Sequence, residues 1–226
     1  MNPVRAVLFD RDGTLVEDVP YNGDPDRVRP VEGAREAVRL LRAHGVATGV
    51  VTNQSGVARG LISVADVRRV HARVDALLGP FDVWAVCPHG PGDGCRCRKP
   101  QPGLILWAAG RLCVPPGDTV VIGDIGSDME AARRAGARGI LVPTPVTRPQ
   151  ETAVAPRTAP DLLTAVRTAL TDPWTGTGGA APRAAAAPAV PAAAGRTGTS
   201  GSGGRTGAGG SGGPTGAGAP GGRRRR

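Results

Sequence analysis

The sequence predicts an α/β domain built on a doubly wound parallel sheet, and three observations carry that reading. Short continuous apolar runs alternate with segments whose apolar residues fall at helical spacing. The runs stop at polar residues, and the alternation ends near Asp172, where the composition changes. A strand that is apolar along its whole length is one covered on both faces, as in a parallel sheet flanked by helices.

Taken in order, Ala6 to Phe9 is the first such run, and it stops at Asp10. Ala34 to Ala43 sets Ala37, Val38, Leu40 and Leu41 at helical spacing, with Gly45 where a C-cap belongs. A strand is expected at Val46 to Val51, then a helix at Val64 to Leu78 and a strand at Val83 to Val86. Helix Leu104 to Leu112, strand Thr119 to Ile122, a helix over 127–135 closed by Gly136, strand Gly139 to Val142 and helix Pro160 to Leu170 complete the series. Asp10, Thr52 with Asn53, Cys87 and Asp124 then fall at the carboxyl ends of parallel strands, the edge where such folds bind ligands. The 42 residues from Asp10 to Thr52 and the 47 from Thr52 to Lys99 are already filled by a helix, a strand and loops, so no cap domain fits.

Residues 173–226 form a separate object. They hold 17 of the 35 glycines, seven arginines and no acidic residue, with too little apolar surface to offset chain entropy. The expected organisation is a folded domain over 1–172 and a disordered basic tail over 173–226. Seven of the nine net positive charges sit in that tail, so the basic balance says little about the domain. No apolar run approaches the roughly 18 residues of a membrane span, and Ala6 to Phe9 follows the N-terminus without a secretory apolar region. The expectation is a soluble, cytoplasmic monomer with no membrane partner, whose tail makes at most weak, salt-sensitive, nonspecific contact with nucleic acid.

The strand ends carry the chemistry. Phe9-Asp10-Arg11-Asp12-Gly13-Thr14 places two carboxylates two residues apart, so that one can attack an electrophile while the other moves a proton. An Asp-x-Asp-Gly segment is alternatively only a turn. Asp124 adds a further carboxylate, and clustered carboxylates repel unless a hard cation, naturally magnesium, sits among them. Thr52 offers a hydroxyl to a ligand oxygen. Of 28 basic residues 27 are arginine and one, Lys99, is lysine, which points to a need for a compact ammonium at that position. Together these groups describe a site for phosphoryl transfer. A second cluster, Cys87 and His89 followed by Cys95 and Cys97, has the donor set of a closed tetrahedral zinc site, expected to staple a Gly-Pro-Gly-Asp-Gly loop and order Arg98 and Lys99 beside it. Cys113 reads as a small apolar residue, His44 as a partner of free helix carbonyls, and His71 as a solvent-facing residue.

With these motifs in hand, the chain resembles the haloacid dehalogenase superfamily of aspartate-nucleophile phosphatases, whose four motifs appear in order: Asp10 to Thr14, Thr52 to Gly56, Arg98-Lys99-Pro100, and Gly123-Asp124 through Asp128. Within it the chain is similar to the histidinol-phosphatase and heptose-bisphosphate phosphatase branch, through Thr52 to Gly60 and the zinc loop. The resemblance implies a HAD-like Rossmannoid fold and covers about residues 4–145. It implies Asp10 as nucleophile and Asp12 as acid/base, with Thr52 and Lys99 steadying the phosphoryl group. Asp10, Asp124 and the Asp12 carbonyl become the magnesium ligands, supported by Asp128. Substrate contacts are implied for Asp18 to Tyr21, Asn53, Gln54, Ser55 and Arg98. Ile125 departs from the pattern, because the compared heptose enzymes carry a lysine there. The implied substrate is a small sugar phosphate of the D-glycero-D-manno-heptose 1,7-bisphosphate type, with histidinol phosphate as the alternative. A reading from another class makes the protein a nucleic-acid or acidic-surface binding module acting through its tail, and a 3'-phosphatase of nucleic-acid ends would join the two halves.

Overall fold

The structure is a computed structural model that describes residues 3–174. The disorder expected for the tail falls on residues outside the described ones, save the segment up to Trp174. The elements are β1 (Ala6–Phe9), α1 (Ala34–Ala43), β2 (Ala47–Asn53), α2 (Val64–Leu78), β3 (Val83–Cys87), α3 (Gly103–Arg111), β4 (Thr119–Gly123), α4 (Gly126–Ala135), β5 (Arg138–Leu141), α5 (Pro149–Val154) and α6 (Leu162–Thr171). All strands are parallel, in the order β3-β2-β1-β4-β5. The doubly wound sheet is thus present, and the winding reverses between β1 and β4, which opens a crevice above their carboxyl ends.

The side chains of β1 explain why the sheet needs helices on both faces. Val7 and Phe9 pack with Val50, Val120, Ile122 and the buried stripes of α1, α2 and α6, whereas Leu8 packs with Val51, Val121 and the buried residues of α3 and α4. Val7, Leu8 and Phe9 are fully buried, each contributing roughly 1.5–3 kcal/mol relative to exposure. Capping sets several boundaries. Ser63 accepts from Asp66 N–H at 3.1 Å while Asp66 accepts from Ser63 N–H at 2.7 Å, which starts α2 at Val64. Asp161 accepts from Thr164 N–H at 2.7 Å, so α6 begins at Leu162 rather than Pro160. His44 Nδ1 lies 2.9 Å from Leu40 O at the end of α1, as expected.

One reading is corrected. His71 does not face solvent: it is buried in α2, in the stripe Val67, Val70, His71, Val74, Leu78, and stacks on Trp84 at 4.0 Å and 18°. Burial, with the charge of Arg11, pushes its pKa down to about 3, so the ring is neutral. Its place four residues after Val67 and three before Val74 is a signal in the sequence that the surrounding arginines obscured. Between β5 and α6, where the sequence pattern marked no element, the chain forms α5, a short helix with Pro149 in its first turn and Arg148 N–H donating to Glu151 at 2.9 Å. Beyond α6, Trp174 packs against the core beneath Arg157, whose guanidinium lies 4.5 Å from the ring centroid. Among the described residues no helix is long and apolar enough to cross a membrane.

Candidate active site

β1 and β4 end side by side and deliver Asp10 and Asp124 to the same edge. β2 runs two residues beyond the expected Val51, because Thr52 and Asn53 pair in register with Val86 and Cys87 of β3. The strand ends, with loops from each, surround a cleft of about 720 Å³ lined by Asp10, Asp12, Asp18, Tyr21, Thr52, Asn53, Gln54, Ser55, Arg98, Lys99 and Asp124. That volume is in the range of small-molecule sites. Asp128 lies directly behind the lining, fully buried.

Lys99 organises the floor. Its Nζ lies 2.9 Å from Asp10 Oδ1 and 2.6 Å from Asp128 Oδ1 as ion pairs, and donates a hydrogen bond to Val51 O at 2.9 Å. Burial alone would lower the ammonium's pKa, but Asp10 and Asp128 reverse that and raise it. Lys99 thus presents a buried positive charge at the floor of the cleft, beside Asp10. Asp10 Oδ1 also accepts from Arg11 N–H at 2.7 Å, so Oδ2 is the oxygen left to meet a ligand. Asn53 holds the Lys99 backbone at both ends, accepting from its N–H at 3.1 Å and donating to its carbonyl at 3.2 Å. Gln54 Nε2 donates to Thr52 Oγ1 at 2.9 Å and to Asp12 Oδ2 at 3.0 Å, which leaves the Thr52 proton for a ligand oxygen. Asn53 and Gln54, implied by resemblance as substrate contacts, are thus spent largely on other site residues. Tyr21, at φ 51°, is partly exposed with Arg59 over its ring at 5.5 Å.

The carboxylates of Asp10, Asp124 and Asp128 lie within 4.8 Å of one another. Asp124 Oδ1 is buried without a partner. A buried, unpartnered carboxylate oxygen facing two other acids suits a hard cation, which prefers oxygen ligands. Asp128 is already engaged by Lys99 and accepts from Ile125 N–H at 3.3 Å, so Asp10 and Asp124 are the ones free to coordinate. Gly13 makes the close approach possible. It has φ 77°, and a Cβ there would lie 2.3 Å from Asp124 Oδ2. Gly13→Ala is therefore expected to weaken divalent-cation binding at least about tenfold, by the scale of disturbances around metal ligands. Titration calorimetry with magnesium measures it, and an unchanged affinity contradicts it.

Three features escaped the sequence reading. Arg11 is among the largest fully buried side chains. Thr147 Oγ1 donates to the Asp124 carbonyl at 2.6 Å, and Thr144 N–H donates to Thr147 Oγ1 at 2.8 Å, so the segment before α5 grips the fourth motif. Val146 of that segment lines the cleft beside Ile125. Thr-Pro-Val-Thr looks like ordinary loop in sequence, and only the fold brings it to Asp124.

The second cluster assembles beside the first. Cys87 Sγ lies 3.7 Å from Cys95 Sγ and 3.3 Å from Cys97 Sγ, and His89 Nδ1 lies 3.5 Å from Cys87 Sγ and 3.2 Å from Cys97 Sγ. Four soft donors at these separations fit one tetrahedral ion with metal–sulfur bonds of about 2.3 Å. Burial pushes the Cys87 thiol up to about 12, so a cation is what would let these thiols ionise together. Arg98 N–H donates to Cys95 Sγ at 3.4 Å and Arg98 Nη1 to His89 O at 3.4 Å, which ties the cluster to the segment carrying Lys99.

Residues 96–169 match the HAD-hydrolase-like family model. The chain is 36% identical over 146 residues to the D-glycero-beta-D-manno-heptose-1,7-bisphosphate 7-phosphatase of Pseudomonas putida, over 62% of this chain and 83% of that protein. Its fold is similar to the D,D-heptose 1,7-bisphosphate phosphatase of Bordetella bronchiseptica, a crystal structure complexed with magnesium and phosphate, at TM-score 0.65 and 31% identity over 73% of this chain and 97% of that one. It is also similar to the D,D-heptose 1,7-bisphosphate phosphatase of Burkholderia thailandensis, at TM-score 0.55 and 26% identity over 74% and 99% of the two chains. With the four motifs converging on one cleft of a doubly wound sheet, these similarities place the chain among the phosphatases of the haloacid dehalogenase superfamily, in the branch of the heptose bisphosphate phosphatases.

Proposed function

We propose that the protein removes the 7-phosphate of D-glycero-D-manno-heptose 1,7-bisphosphate, or of a closely related sugar phosphate, through an aspartyl-phosphate intermediate. The observation that carries the mechanism is Asp10, with one oxygen fixed by Lys99 and the Arg11 N–H and the other open to the cleft. Oδ2 attacks phosphorus as the ester P–O bond breaks, and the Asp12 carboxyl gives its proton to the departing alkoxide oxygen. Asp12 then takes a proton from water as the water oxygen attacks phosphorus, the bond from phosphorus to Asp10 breaks, and inorganic phosphate leaves. Thr52 donates to a phosphoryl oxygen, and Lys99 balances its charge. Magnesium, held by Asp10, Asp124 and the Asp12 carbonyl, would neutralise phosphoryl charge when bound. Asp18, Tyr21, Ser55 and Arg98 line the outer cleft, where the rest of the substrate would lie. Comparing catalytic efficiencies on the heptose bisphosphate, other sugar phosphates, histidinol phosphate and phosphorylated oligonucleotide ends, with magnesium supplied, tests the assignment. Preference for histidinol phosphate or an oligonucleotide end overturns it.

The electrostatics give magnesium binding a pH dependence. Without a cation, burial pushes both Asp10 and Asp124 up to about 7, and Asp128 adds to the rise at each. Both folded pKa values exceed the unfolded value of 3.8. Their contribution to the stability of the metal-free protein is therefore fully present below about 4 and is lost as pH rises through about 7. Cation binding needs the ionised forms, so magnesium affinity should rise across that same upper window with release of protons. Calorimetry in buffers of different ionisation enthalpy reads the released protons, and an affinity that is flat between pH 6 and 8 contradicts the prediction.

Zinc is the proposed ion of the Cys87, His89, Cys95 and Cys97 site, with a structural role because its four ligands leave no position for water. Cys95→Ser with Cys97→Ser should release it and loosen the loop bearing Arg98, lowering discrimination between phosphate esters more than it unfolds the sheet. Elemental analysis beside rates on two esters is the measurement. Native protein free of zinc yet fully selective contradicts it.

A further inference from the structure

The mechanism above assigns no part to the side chain of Arg11, the most deeply buried cation among the described residues. Arg11 is 1% exposed, and its guanidinium faces Asp12 as a fork, with Nε donating to Oδ1 at 2.9 Å and Nη2 to Oδ2 at 2.8 Å. The Asp12 side chain, by contrast, is 25% exposed. A guanidinium sealed from water is costly unless paired, and two parallel N–H···O bonds fix both the distance and the plane of the carboxylate they meet. Among the described residues Asp12 is the one carboxylate that Arg11 pairs with. Asp18 feels its charge but accepts no hydrogen bond from it.

Away from Asp12, Arg11 Nη1 is buried without a hydrogen-bond partner, and His71, stacked on Trp84, is near enough for Arg11 to help keep it neutral. On the cleft side Gln54 Nε2 holds Asp12 Oδ2 and bridges it to Thr52. The backbone of the same arginine donates to Asp10 Oδ1. One residue therefore touches both carboxylates, through its peptide N–H at Asp10 and its side chain at Asp12.

We propose that Arg11 is a positioning residue for proton transfer: its buried fork aims the Asp12 carboxyl at the leaving oxygen and at the attacking water. This rests on Asp12 being the acid/base. A free aspartate on a loop samples several rotamers, and small departures from the reactive geometry are expensive in rate. A lysine at position 11 keeps the charge but replaces a planar fork with a point donor, so it cannot fix the carboxylate plane.

The test uses the full chain saturated with magnesium, and two substrates that differ in need for an acid: p-nitrophenyl phosphate, whose leaving group departs as a stable anion, and a primary alkyl phosphate, whose leaving group needs a proton. Arg11→Lys and Arg11→Gln are compared with Asp12→Asn and with each double variant. The expected result is a fall in kcat/KM, which reports phosphorylation of Asp10 and not the later hydrolysis common to both esters, at least about tenfold greater on the alkyl ester than on the aryl ester, within the span of general acid catalysis. In the Asp12→Asn background, either Arg11 change should cost less than about twofold further on the alkyl ester, because the partner it aims is already disabled. Loss of general stability alone would lower both esters equally. If Asp12→Asn lowers the alkyl rate selectively but the Arg11 variants lower both esters in proportion, the positioning role is wrong and the acid/base assignment stands. If Asp12→Asn itself shows no selectivity, both are wrong. Arg11→Gln with Asp12→Asn removes both members of the pair and leaves no buried charge unpaired. It therefore keeps the coupling measurable should a single variant fold poorly, and full additivity there also overturns the role.

Discussion

Asp10→Asn should abolish turnover while leaving the fold intact. Attack on phosphorus needs an oxygen lone pair on the one atom that Lys99 and the Arg11 N–H leave open, and an amide group placed there is a far weaker nucleophile. The loss should be about 10⁴-fold or more, the scale on which removal of a nucleophile acts. The same substitution should cost the metal-free protein little stability at neutral pH, because burial already favours the uncharged form of Asp10, with its pKa pushed up to about 7. Acid-quench experiments with labelled substrate should show phosphate bound to the native protein and none to the variant. Native-like turnover by pure Asp10→Asn would sink the nucleophile assignment.

The next largest effect is expected at Lys99. Lys99→Met removes the cation between Asp10 and Asp128 and leaves the Val51 carbonyl without its donor. Breaking one side of a buried ion pair costs about 3–5 kcal/mol, and losing one preorganised electrostatic group costs about 10²–10³ in kcat. Lys99→Arg should recover little of either. Lys99 is 3% exposed with its ammonium beside three different oxygens, and a planar fork on a longer stem cannot sit at the same point among them. Denaturant unfolding and kcat should fall together in both variants. Near-normal efficiency in Lys99→Arg would show that the lone lysine of the chain is incidental.

The comparison of these two residues shows where sequence reasoning reached and where it stopped. Asp10, Asp124 and Lys99 were legible because strand ends in a parallel sheet and a solitary lysine among arginines are local or compositional signals. The zinc donors were legible for the same reason, since all four sit within eleven residues. What Lys99 does was not legible. Its charge could be assigned to a phosphoryl group from the motif, but only the fold shows that Asp10, Asp128 and the Val51 carbonyl surround its ammonium.

The same division runs through the whole chain. Apolar runs, helical spacing and caps determined the alternation of strands and helices, because backbone preference and burial period are written residue by residue. Strand order and its reversal between β1 and β4 came from packing across long separations. So did the grip of Thr147 on Asp124, across 23 residues, and the link from Gln54 to Asp12, across 42. Arg11 and His71 mark the limit most clearly. Arg11 belongs to a type usually found at the surface and is buried with the charge of Asp12 paired to it, and His71 is buried with its ring stacked on Trp84, thirteen residues away. Composition cannot reveal such compensation, since it depends on which groups the finished fold brings face to face.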